Sequence, residues 1–195
     1  MKTFITMILG LLTLNNYTMG QNETKVKAFQ SKKEISINTS AAKLWQIIGP
    51  GFAEYYKWAT IVDFSTGKGD AEINGAPHDE RVCTVNGQGD NKVTEKLFKY
   101  SDSDMNLAYE ATEGMHEMMN KATNEMTIVR LSDTTSKIVV NIEWLVNGPI
   151  PDEMKQMMEG NLKITVDTFL NDIKVFAETG LVSQTKQERL DELAN

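Results

Sequence analysis

The spacing of hydrophobic and polar positions changes twice along the chain. From Lys25 to Ile37 a polar start passes into Ile35 and Ile37 in alternation, the period of a half-buried strand. Asn38-Thr39-Ser40 follows, where Thr39 or Ser40 can cap a helix over Ala41 to Ile48 that Gly49-Pro50-Gly51 stops. A second short helical piece, Phe52 to Trp58, carries Phe52, Tyr55, Tyr56 and Trp58. So many rings are out of place in a solvated loop, and the segment is expected to fold inward.

From Thr60 to Val146 the period is two. Thr60 to Phe64, Arg81 to Val85, Lys92 to Tyr100, Asn106 to Thr112, Glu125 to Leu131 and Lys137 to Val146 are rich in β-branched, aromatic or alternating residues. Between them lie short polar or glycine-bearing connections: 67–70, 86–90, 101–104 and 132–136. Such connections fit hairpins, so these six strands and the first are expected to form an antiparallel meander. Ala71 to Glu80 reads as an insertion before Arg81.

After Gly148-Pro149-Ile150-Pro151 the period becomes helical. Met154, Met158, Leu162, Val166, Phe169, Leu170 and Ile173 recur at three and four residues, giving one apolar stripe over Pro151 to Thr179. Pro151 suits a first helical position, Asp152 and Glu153 suit the positive end of the dipole, and Gly180 suits the C-terminal cap. At about 1.5 Å per residue this helix would run roughly 40 Å, enough to cross a sheet. Residues 181–195 are mostly polar, with Leu190 and Leu193 too sparse to demand burial, and are expected to form a frayed polar tail.

The chain has 195 residues and a net charge of −7, with 41% hydrophobic residues, which suits one soluble domain and argues against a nucleic-acid partner. Residues 1–20 stand apart. Lys2, the apolar run Phe4 to Leu14 and small Gly20 read as a secretory signal peptide cut after Gly20. About 11 apolar residues fall short of the roughly 20 needed to span a bilayer, so the processed chain is expected not to be an integral membrane protein. The mature domain, residues 21–180, would then be periplasmic or secreted. Cys83 is the single cysteine, so no internal disulfide can form.

The order of strand, two short helices, antiparallel strands and one long helix resembles the SRPBCC superfamily, and within it the polyketide cyclase/dehydrase group among START-like proteins. Ser40-Ala41-Ala42-Lys43-Leu44-Trp45, Arg81-Val82-Cys83-Thr84-Val85, the Gly87 to Leu97 stretch and Tyr109-Glu110-Ala111-Thr112-Glu113-Gly114 carry the likeness. It covers most of Lys27 to Thr179. The resemblance implies an α+β helix-grip fold, a curved antiparallel sheet of about seven strands around a long C-terminal helix, with an apolar cavity between them. Members bind lipids, sterols, hormones or aromatic polyketides, and only some are enzymes.

A strand lining such a cavity does so with alternate residues. Taking the more apolar face as inner places Val93, Glu95, Leu97, Leu107, Tyr109, Ala111, Met126, Ile128, Arg130, Ile138, Val140, Ile142 and Trp144 inside. Glu95, Tyr109 and Arg130 are then the polar groups that can orient a ligand. Tyr56, Trp58, Trp144, Met115, Met119, Met154 and Met158 complete the candidate ligand-binding set, the methionines as a flexible rim. The alternative for Glu95 is a structural ion pair with Arg81 or Arg130.

Three functions follow from these residues. The first is an exported, non-catalytic binding protein for a small hydrophobic ligand, with no cofactor and no metal. The second is an enzyme of the polyketide cyclase or hydratase type, using inward Glu95 or His116 as proton carrier and Tyr109 as donor. The third is a copper-binding module in which Met115, His116, Met118 and Met119 supply soft ligands. No nucleophile elbow, His-Glu-x-x-His or phosphate loop is present in the sequence.

Overall fold

A computed structural model describes residues 26–85 and 92–194. The proposed leader, residues 1–20, and the 86–90 connection lie outside the described residues. Seven strands form a single antiparallel sheet: β1 (Lys27–Ile37), β2 (Val62–Lys68), β3 (Glu80–Val85), β4 (Lys92–Ser101), β5 (Asn106–Glu113), β6 (Met119–Arg130) and β7 (Ser136–Val146). Their order is β1-β7-β6-β5-β4-β3-β2. Consecutive strands from β2 to β7 pair as neighbours, and the first strand closes on the last, with Phe29 opposite Trp144 and Ile35 opposite Ile138. Two bulges in β4, at Thr94/Glu95 and Leu97/Lys99, interrupt its pairing with β5. Bulges of this kind bend a strand and raise its twist, which curves the sheet.

Between β1 and β2 the chain crosses from one sheet edge to the other through α1 (Ala41–Ile48) and a 3-10 turn, Phe52–Lys57. Ser40 caps α1, its hydroxyl accepting the Lys43 N–H at 3.3 Å. The aromatic segment turns inward as expected: Phe52, Tyr55 and Trp58 are buried. Helix α2 (Asp152–Thr179) lies in the hollow of the sheet. Leu162, Val166, Phe169 and Ile173 are buried, while Lys163, Asn171 and Lys174 are exposed. Pro151 stands at the N-cap, one position before the first turn, and Gly180 caps the other end at φ 77°, a left-handed conformation that glycine adopts without strain.

Four segments depart from expectation, the first being β2, which runs on to Lys68 so that Gly67 and Lys68 pair with Arg81 and Glu80 instead of opening a connection. Strand β6 starts at Met119, six residues before Glu125, because Lys121 to Glu125 pair with Glu143 to Leu145 and their neighbours on β7 although few of them are apolar. The 71–80 insertion is folded: the Glu72 N–H donates to Asp79 Oδ1, and the Asp79 carbonyl accepts the Leu97 N–H at 2.8 Å. The polar tail is a helix, α3 (Gln184–Leu193), docked on the body of the domain. Ser183 caps it, accepting the Lys186 N–H at 3.1 Å. Lys186 is fully buried and donates to the Val62 carbonyl at 2.9 Å. Arg189 grips both oxygens of Asp63, at 2.8 and 2.7 Å. Buried Asp172 of α2 accepts from the Thr60 N–H and the Ser183 hydroxyl. The attachment is polar, so a search for apolar period could not find it.

No helix among the described residues is long and apolar enough to cross a membrane. Cys83 is free and buried.

Candidate functional site

Strand alternation places one row of side chains from β3 to β7 toward α2, and where that row is short of bulk a cavity of about 350 Å³ remains. Val85, Val93, Ile142, Trp144 and Phe169 give it an apolar wall, and Ala111 and Ala122 leave the room. One side of the rim is set by Gly114, at φ 78°: a Cβ there would fall 1.9 Å from the Lys92 carbonyl oxygen. The chain can therefore pass this close to β4 only with glycine, and Met115 and His116 follow directly onto the cavity border.

Arg81 organises the polar part of the wall. Its Nε donates to Glu95 Oε2 at 2.6 Å, one terminal nitrogen donates to the Phe52 carbonyl at 2.7 Å, and the other to Tyr109 Oη at 3.3 Å. The guanidinium also lies 4.4, 4.3 and 4.9 Å from the ring centroids of Phe52, Tyr55 and Tyr109. Every face of the cation thus meets a carboxylate, a carbonyl or a π surface, which allows so large a charged group to be 2% exposed. Burial works most strongly against the Arg81 charge, but Glu95, with smaller contributions from Tyr109, Cys83 and Tyr55, together outweighs it and keeps the guanidinium protonated. Burial pushes Tyr109 far above the usual phenol value, with nearby Glu95 acting in the same direction. It also pushes the Cys83 thiol up to about 12 against the pull of Arg81, and that thiol donates to Glu95 Oε2 at 3.2 Å. These groups are therefore a cation, a carboxylate, a phenol and a thiol with the charges matched internally.

Five of the residues chosen from sequence border the cavity: Glu95, Tyr109, Met115, Met119 and Trp144. His116 joins them. The other five do not. Arg130 lies beyond the last inward residue of β6, exposed and paired with Asp133 across the turn, because the strand ends there and its side chain reaches water. Trp58 is buried behind the cavity wall, its ring 5.1 Å from Phe169 and 5.0 Å from Tyr55. Tyr56 turns the other way to pack on exposed Phe64. Met154 and Met158, on the first turns of α2, are half-buried and stand clear of the cavity wall. Glu95 takes the structural alternative, the ion pair with Arg81, and its use as a free base loses its footing. Among the described residues no three His, Cys, Asp or Glu side chains gather as a metal site.

Sequence reasoning missed Thr123, Asn124 and Thr165, which also border the cavity. Asn124 stands opposite Tyr109 in the β5–β6 register and its amide nitrogen donates to Tyr109 Oη at 2.9 Å. A clue was available in the alternation of Ala122, Asn124, Met126 and Ile128 on one side of a strand, which begins earlier than its apolar residues suggest.

A family model described as polyketide cyclase / dehydrase and lipid transport matches residues 28–178. No curated protein matches the chain. Among solved structures, the Zhui aromatase/cyclase from Streptomyces sp. R1128 is similar with a TM-score of 0.64 and 13% identity, over 77% of this chain and 94% of that one. A START superfamily protein from Mycobacterium smegmatis gives 0.57 and 18%, over 72% and 93%. A norcoclaurine synthase point mutant from Thalictrum flavum, in complex with a transition-state analogue, gives 0.56 and 15%, over 80% and 97%. At these identities the likeness is one of fold.

Proposed function

The chain belongs to the polyketide cyclase / dehydrase and lipid transport family, and from that premise we propose that it holds one small hydrophobic ligand between sheet and α2, as a carrier or sensor. The observation that carries this reading is the cavity itself: about 350 Å³, walled mainly by apolar side chains, with a few polar groups at one place. The internal matching of Arg81 by Glu95 supports binding over proton transfer, since it leaves the carboxylate engaged. Reading residues 1–20 as an export signal places the activity in the periplasm or outside the cell; a mature N-terminus at Gln21 in the exported fraction is the expected result of cell fractionation and terminal sequencing.

The neutral apolar fluorophore N-phenyl-1-naphthylamine tests the binding site. Its emission is expected to rise on mixing with the protein and to stay low with Ala111→Trp, which fills the cavity from its own wall. A melting temperature close to wild type shows that the variant is folded. No fluorescence gain with wild type, or an equal gain with a folded Ala111→Trp, overturns the assignment.

A further inference from the structure

Hydrogen bonds around Tyr109 leave two groups over. Tyr109 Oη receives two donors, Arg81 at 3.3 Å and Asn124 Nδ2 at 2.9 Å. A phenol oxygen so approached has its accepting capacity filled and keeps one proton to give. Asn124 Oδ1 is buried with no hydrogen-bond partner among the described residues, and Asn124 borders the cavity. An acceptor without a donor and a donor without an acceptor therefore lie on cross-strand neighbours, at the wall of an otherwise apolar space. Buried polar groups are costly to leave unmet, so the missing partner belongs in the cavity.

Building on the cavity as a ligand site, we propose that it selects an uncharged apolar molecule bearing a hydroxyl group. The ligand hydroxyl donates to Asn124 Oδ1 and accepts from the Tyr109 O–H. Turning the Asn124 amide over leaves one group to meet instead of two: Tyr109 then donates to Oδ1, and Nδ2–H donates to the oxygen of the same hydroxyl, which then only accepts. A carboxylate end is disfavoured. Arg81 gives three of its five N–H groups to Glu95, Phe52 and Tyr109 and lies against three rings, and the Glu95 carboxylate that matches its charge borders the cavity beside it. The other basic side chain on the wall, His116, is an exposed residue at the rim. An anion would face Glu95 with no unshared cation in the interior.

Three probes with one ring system separate these chemistries: 2-naphthol, 2-methylnaphthalene and 2-naphthoate, each displacing N-phenyl-1-naphthylamine at neutral pH. In the wild type 2-naphthol is expected to displace at about tenfold lower concentration than 2-methylnaphthalene, the size expected of satisfying one buried pair, with 2-naphthoate weakest. In Asn124→Leu the advantage of the naphthol is expected to shrink below about threefold while 2-methylnaphthalene displaces as well as before. The wild-type comparison stands whether or not that variant folds. Equal displacement by naphthol and methylnaphthalene, naphthoate ahead of both, or a folded Asn124→Leu that keeps the full advantage overturns the hydroxyl assignment and leaves the cavity reading intact. A reporter that never binds removes both.

Discussion

Arg81 and Glu95 stand opposite each other on β3 and β4 and meet at 2.6 Å, with the guanidinium 2% exposed and enclosed by Phe52, Tyr55 and Tyr109. The pair forms a wall of the cavity while holding the 3-10 turn to the sheet through the Phe52 carbonyl. A structural ion pair and a candidate site share the same two residues.

Removing one partner of that pair is expected to cost more than removing both. Glu95→Leu leaves a buried guanidinium uncompensated, a loss of about 3 to 5 kcal/mol. Adding Arg81→Met to it should recover a large part, since an apolar replacement of both charges needs no desolvation. Urea unfolding of the two single variants and the double variant measures the coupling; additive losses would show that the pair does not act as a unit.

Cys83 carries a pH dependence whose sign follows from its burial. Its folded thiol titrates at about 12 against an ordinary value of 9.0. Between those values the unfolded chain has lost the proton and the folded chain keeps it. The contribution is therefore complete below pH 9 and falls as pH rises toward 12, by about 1.4 kcal/mol per unit. Tyr55 and Tyr109, also pushed up by burial, steepen the loss once free tyrosine ionises. Urea midpoints measured between pH 8 and 11 should decline in that window. Ellman's reagent at pH 8 should leave Cys83 unmodified until urea is added.

Truncation after Gly180 is expected to lower the melting temperature, contrary to the behaviour of a loose tail. It removes the hydrogen bond of Lys186 to Val62 and the Arg189–Asp63 pair, and it leaves buried Asp172 without Ser183. A loss of about 2 kcal/mol corresponds to roughly 4 to 8 °C for a domain of this size. Calorimetry on the full and shortened chains decides the matter, and an unchanged transition would mean that α3 contributes nothing to the fold.

Phe169 and Met158 sit on one helix and should respond differently. Phe169 packs on Tyr55 and Trp58 and also borders the cavity, so Phe169→Ala is expected to cost about 3 to 5 kcal/mol. Met158 is half-buried away from the cavity wall, and Met158→Leu should cost less than about 1.5 kcal/mol. Ligand affinity should change with Phe169→Ala and not with Met158→Leu in the fluorophore titration.

Period and punctuation in the sequence located the seven strands, with β6 begun six residues too late, both helices that precede β2, and α2, expected over Pro151 to Thr179 and found over Asp152–Thr179. They also determined the inward row on β4, β5 and β7, because alternation on a half-buried strand has one solution when one face is apolar. Arg130 was misplaced by extending that rule to the last residue of β6, where the sheet ends and the side chain reaches solvent. Trp58 and Tyr56 were grouped with the cavity because a cluster of rings announces burial without saying behind which wall.

What only the tertiary structure decided depends on pairings between residues far apart in the chain. Arg81 meets Glu95, Phe52 and three aromatic rings from separate elements, and nothing local in Arg81-Val82-Cys83-Thr84-Val85 announces that enclosure. Lys186, Arg189 and Asp172 fasten α3 through hydrogen bonds and an ion pair, contacts that leave no hydrophobic period in the sequence. Asn124 faces the cavity by its register opposite Tyr109, and that pairing turns its amide nitrogen to Tyr109 Oη and leaves its oxygen unmet among the described residues. Apolar burial is additive along a chain and can be read from it; polar satisfaction is a property of the assembled neighbours, and only the fold sets it.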